Sequence, residues 1–207
     1  MYNTLLALTL LVSAVAKPAL ADVPSVVLAT HSLSMENRYG NEFVNTVFKD
    51  NILLTLKYMD GTVTSKANID WAKIESPFHY EFILEPGQEF AFHEHTTPEY
   101  SKNVIKTTGV HFNGTEGFKS DGFLVGDGVC QLASLINWTA KDAGLTTFAP
   151  SNHNFAVIPD VPKEYGVAIQ APSPWGNLYI VNNFDKPVTF VFDYDGTNLS
   201  VSVTKTN

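Results

Sequence analysis

The sequence predicts an α+β fold, a mostly antiparallel β-sheet packed against one or two helices, with a cysteine at the N-terminus of one helix. Three observations predict it. Short β-rich runs recur between frequent turn signals. Two segments instead carry the apolar spacing of a helix. A chain of 207 residues, 44% hydrophobic and 16% charged, has enough apolar content to bury a core. No Ser/Pro linker, low-complexity tract or repeat interrupts it, so one domain over 22–207 is expected.

The elements follow in order. Leu5 to Ala16 is an apolar run short of the roughly 20 residues that span a bilayer, and Ala19-Leu20-Ala21 suits a signal peptidase. Residues 1–21 therefore read as an export signal, giving a periplasmic or extracellular protein with no transmembrane segment after cleavage. Strands are expected at Val26 to Thr30, Phe78 to Leu84, Phe90 to His93, Phe155 to Ile158, Val167 to Gln170, Leu178 to Val181, Val188 to Tyr194 and Leu199 to Thr204. Asp195-Gly196 between the last two is a hairpin signal. Helices are expected at Glu42 to Tyr58, with Phe43, Val44, Val47, Phe48 and Leu54 as its stripe, and at Val129 to Ala143, stopped by Gly144.

Lys+Arg 13 against Asp+Glu 21 gives a net charge of -8, which removes the electrostatic attraction on which nucleic-acid binding rests. The chemistry concentrates at the second helix. Gly126-Asp127-Gly128 is a tight turn leading into Val129-Cys130-Gln131, so the single cysteine lies in the first turn. There the free backbone N–H groups and the helix dipole favour a thiolate. Gly126 and Gly128 also let a ligand approach the backbone. The bland alternative is a small buried side chain packing the helix against the sheet.

A thiolate needs a base, and the next histidine downstream is His153, preceded by Asn152 at the entrance to the strand expected at Phe155 to Ile158. Gln170, Asn182 and Asp160 are the choices for an orienting third residue. Cysteine opening a helix, then histidine entering a strand, then a polar residue is the chain order of papain-like and NlpC-type hydrolases, an analogy of order alone.

The run Gly126-Asp127-Gly128-Val129-Cys130-Gln131-Leu132-Ala133-Ser134, followed by Asn137, Ala140, Ala143-Gly144-Leu145, His153 and Val157-Ile158-Pro159, resembles the VanW-like family, whose hallmark is a Gly-rich turn running into V-C-Q. Glu85-Pro86-Gly87 with Phe90-Ala91-Phe92, Asn51-Ile52 and Asn182-Asn183 match further family elements in order, so the resemblance covers roughly Arg38 to Val203. Asp127 replaces the middle glycine of the family's turn, and Glu164-Tyr165-Gly166-Val167 stands where the family has Gly-x-Asp-Ala. The resemblance implies an exported cell-envelope protein, in a family named for a gene among vancomycin-resistance genes and without a settled activity. It marks Gly126, Gly128, Cys130, Gln131 and His153.

His93 and His95 of Phe92-His93-Glu94-His95 would point to one face of a strand, and with His111 or His153 a three-histidine site is conceivable. A lone His-x-His is a weak signal, so no metal or other cofactor is assigned, and His93 stands as a rival base for Cys130. Two functional classes result. One is a cysteine-dependent acyl-transfer enzyme on peptidoglycan peptide, with Cys130 attacking, His153 carrying the proton and Gln131 near the oxyanion. The other is a non-catalytic envelope binding or structural module. The discriminator is whether Cys130 faces a cleft with His153 in reach.

Overall fold

A computed structural model of the protein describes residues 25–207; the expected export signal lies outside the described residues. Among the described residues two four-stranded sheets and three α-helices make up the fold, an α+β arrangement as the sequence predicts. In the first sheet β1 (Ser25–Ser34) pairs with β8 (Asn198–Thr206), β8 with β7 (Val188–Tyr194), and β7 with β2 (Phe78–Leu84), all antiparallel. The period-2 pattern of β7 explains its orientation, since Val188, Phe190, Phe192 and Tyr194 are buried while the residues between them are partly or fully exposed. Phe82 on β2 faces Phe190 across the pair, and the rings stack 5.1 Å apart. The β7–β8 turn is closed by Asp195, whose carboxylate accepts the Thr197 and Asn198 N–H groups, both at 2.7 Å.

The second sheet is mixed: β4 (Val104–Lys106) lies parallel to β3 (Glu89–Ala91), which pairs antiparallel with β6 (Tyr179–Val181), and β5 (Thr146–Phe148) completes it. The sequence reading has no strand at 104–106 or 146–148, because three residues are too few to display a period. Helix α1 (Glu42–Met59) begins at Asn41, whose side chain accepts the Phe43 and Val44 N–H groups. A short α2 (Trp71–Ile74) follows, and α3 (Val129–Asp142) packs against β1, β8, β5 and α1. The core where these meet holds Leu53, Leu56, Leu132, Leu135, Val201 and Val203.

Two expected strands are absent. Phe155 to Ile158 is a chain of turns with Phe155 and Val157 exposed, because local hydrogen bonds replace a ladder: Asn152 Oδ1 accepts the Asn154 N–H, and His153 Nδ1 meets the Ala156 carbonyl at 3.0 Å. Val167 to Gln170 is extended but joins no sheet; only one bridge, Asn152 to Val167, links it to another chain segment. The Val167 and Ile169 N–H groups go to side chains of α3, and those of Ala168 and Gln170 to the Ser151 and Gly176 carbonyls.

Candidate site at the start of helix α3

Gly128, φ 100°, is the residue that caps α3, and Gly126 has φ 89°. A Cβ at Gly128 would lie 2.6 Å from the Phe48 carbonyl oxygen of α1, and one at Gly126 would lie 3.0 Å from that of Phe112. Both glycines are thus required by backbone conformation and by close packing. Asn51 of α1, fully buried, ties down the same loop: its amide nitrogen donates to the carbonyls of Lys119 and Asp127, and its oxygen accepts the Lys119 N–H. The glycine-rich turn is therefore fastened to α1 on both sides.

Cys130 is half-buried in the first turn, as the sequence predicts, but its sulfur is occupied. It accepts the Ile169 N–H at 3.3 Å and lies 3.9 Å from the Ile169 carbonyl oxygen. One turn on, Ser134 Oγ accepts the Val167 N–H at 2.9 Å. The match is geometric. Residues four apart on a helix rise about 6 Å, and residues two apart on an extended chain advance about 6.6 Å. Cys130 and Ser134 together therefore clamp alternate N–H groups of 167–169 onto α3, while the Ala168 N–H faces the other way to the Ser151 carbonyl. Burial pushes the Cys130 thiol up, the Asp127 carboxylate adds to this, and the Ile169 N–H opposes it. The expectation of a thiol lowered by its place at the helix N-terminus is corrected: burial away from water is the largest influence on it and raises it.

Gln131 is buried and engaged at both ends of its amide, its oxygen accepting from Arg38 Nη1 and its nitrogen donating to Tyr39 Oη at 2.6 Å. Arg38 Nη2 also donates to the Pro159 carbonyl at 2.6 Å, and its Nε lies 3.8 Å from Asp160. The sequence reading did not single out Arg38, Tyr39 or the Cys130–Ser134 pair. A signal for the pair was available in the four-residue spacing of two small hydrogen-bonding side chains on one helix face.

His153 stands beside Gly166, to whose carbonyl its N–H donates, while its neighbour Asn152 is the residue bridged to Val167. Its ring bonds the Ala156 carbonyl and lies against Phe155, with centroids 4.0 Å apart, rather than meeting the sulfur. Asn152 is exposed. Asn182 is buried, donating to the Leu84 and Lys186 carbonyls, and Gln170 is exposed, with its N–H on the Gly176 carbonyl. His93, the rival base, is fully buried, bonded through Nε2 to the Gly176 carbonyl and through Nδ1 to Asn177, and desolvation holds its pKa below the ordinary value. What the fold does place beside His153 is a cavity of about 320 Å³, lined among others by Asn154, Phe155, Val157, Val161 and Lys163.

A family model described as "VanW like protein" matches residues 66–204. No curated protein and no solved structure matches the chain.

Proposed function

The chain belongs to the VanW-like protein family, and on that premise we propose that it is an exported binding module of the cell envelope rather than an acyl-transfer enzyme. One observation carries this reading: the Cys130 sulfur and the Ser134 hydroxyl are the two acceptors that hold 167–169 on α3. Burial pushes the pKa of a thiol in that position up, the opposite of what a nucleophile requires. Gln131, engaged by Arg38 and Tyr39, braces the same end of the helix instead of facing an oxyanion.

The ligand sits in the cavity beside His153. Phe155 and Val157, 75% and 87% exposed, give it an apolar wall, and Lys163 supplies a cation at its rim. A peptide with small apolar side chains and a free carboxylate fits that pairing, and peptidoglycan stem peptide is of this chemistry. Export is supported by Leu5 to Ala16 and Ala19-x-Ala21 in the sequence, and no helix among the described residues is long and apolar enough to cross a membrane.

The test joins two measurements on the purified chain. Iodoacetamide should leave Cys130 unmodified at pH 7–8 until the protein unfolds, and soluble muropeptides should bind with an affinity that falls about tenfold in Phe155→Ala and in Lys163→Glu. Rapid alkylation of the folded protein, with cleavage or transfer of muropeptides lost in Cys130→Ser, would overturn the binding reading in favour of acyl transfer.

A further inference from the structure

From the side chains that meet where the end of β3 passes the segment 108–116, we infer a mononuclear site for a divalent transition metal such as Zn²⁺, with Glu94, His95 and His111 as its protein ligands. One ligand atom from each lies within 4.8 Å of the others. His111 Nε2 is 2.7 Å from Glu94 Oε1, and the His95 and His111 rings are 5.4 Å apart, centroid to centroid. Ligand atoms at the corners of a tetrahedron around zinc stand about 3.4 Å apart, so rotamer adjustments of an ångström or less would bring the three onto one ion.

The surroundings are those of a prepared site. Glu116 receives the other ring nitrogen of His111, Nδ1, at 3.0 Å, and also accepts the His111 and Asn113 backbone N–H groups. This carboxylate–histidine pair fixes the ring so that Nε2 faces Glu94 and His95, the arrangement by which outer carboxylates orient metal-bound imidazoles. The frame behind the ligands is held as firmly. Asn177, fully buried, donates to the backbone carbonyls of His93 and His95, and Thr108 donates through both its N–H and its Oγ1 to the Phe92 carbonyl. Glu94 is exposed and the His111 side chain is 40% exposed, so the remaining coordination position opens to water. Two imidazoles and one carboxylate match the preference of zinc over magnesium or calcium, which favour all-oxygen sets.

The pairing differs from the one the sequence suggests. His93 and His95 do not share a ligand: His93 turns into the core, and His95 joins a histidine sixteen residues further on.

The experiment is a calorimetric titration of the full chain with Zn²⁺ alone, in a non-chelating buffer at pH 7.5, followed by Co²⁺ for its visible spectrum. The expected result is one ion per chain, with affinity at least tenfold weaker in His95→Ala, His111→Ala and Glu94→Gln, and 10- to 100-fold weaker in Glu116→Gln. His79→Ala tests specificity, because His79, Glu81 and Asp193 form a second histidine–carboxylate group on the first sheet; it should leave binding unchanged. Glu94 is exposed, so its variant keeps the fold and separates ligand loss from unfolding. Absence of binding at 100 μM Zn²⁺, or binding unaltered in both Glu94→Gln and His95→Ala, would overturn the assignment.

Discussion

Replacing Cys130 with alanine tests whether this residue is a clamp or a nucleophile. The alanine leaves the Ile169 N–H without its sulfur acceptor and removes a desolvated atom from beneath 167–169. An unsatisfied donor costs about 1–3 kcal/mol, toward the low end because sulfur is a weak acceptor. The lost contact adds about 1 kcal/mol. The sum, about 2–3 kcal/mol, corresponds to a Tm lower by about 4–12 °C for a domain of this size. Ser134→Ala should cost a similar amount by freeing the Val167 N–H. Since both residues hold one segment, the double variant should lose less than the sum of the two, a coupling of 0.5 kcal/mol or more. The assay is thermal and urea unfolding followed by circular dichroism, with amide hydrogen exchange of Val167 and Ile169 as the local readout. A Cys130→Ala protein as stable as the parent, with exchange at Ile169 unchanged, would refute the clamp.

Other expectations follow from the same contacts. Gly128→Ala should cost more than about 2 kcal/mol or abolish folding, since its Cβ meets the Phe48 carbonyl at 2.6 Å in a left-handed backbone; expression level and Tm report it. Arg38→Ala should lower stability by about 2–4 kcal/mol, because the Gln131 and Pro159 oxygens lose their donor, and should quicken exchange in 157–161. Burial raises the Asp50 pKa although Lys119 opposes it, so its contribution to stability is full below about pH 3.9 and is lost as pH rises through the folded pKa. Asp50→Asn should therefore flatten the fall in stability above pH 4, read from urea midpoints across the range. The raised Cys130 thiol has the same sign: its contribution is full below about pH 8.5 and is lost above it, a slope that Cys130→Ser should reduce.

Long periodic segments were legible from composition and order alone. Phe78–Leu84 and Val188–Tyr194 alternate, Val129–Asp142 carries a helical stripe and Asp195-Gly196 marks its hairpin, because in each the local pattern and the tertiary burial agree; Glu42–Met59 is a helix as expected, but Phe43 of its expected stripe is exposed, and Asp50, Asn51, Thr55 and Lys57 are buried with Val47 and Leu54. The glycines before Cys130 and the cysteine's place in the first turn were readable for the same reason. Phe155 to Ile158 and Val167 to Gln170 have the composition of strands yet form none, since whether a β-rich run joins a ladder depends on a neighbour that its own residues do not specify.

The α+β class, both long helices, the acidic net charge and the place of Cys130 are properties of local pattern or simple counting and can be read from the order of residues. What those residues do depends on the folded contacts. Folding sets the Cys130 sulfur on the Ile169 N–H, locks Gln131 with Arg38, turns His93 inward and brings His111 to Glu94 and His95. Each outcome depends on chain segments distant in sequence meeting in space, and the pKa of a thiol or the partner of an imidazole follows from desolvation and contacts that exist only after that meeting.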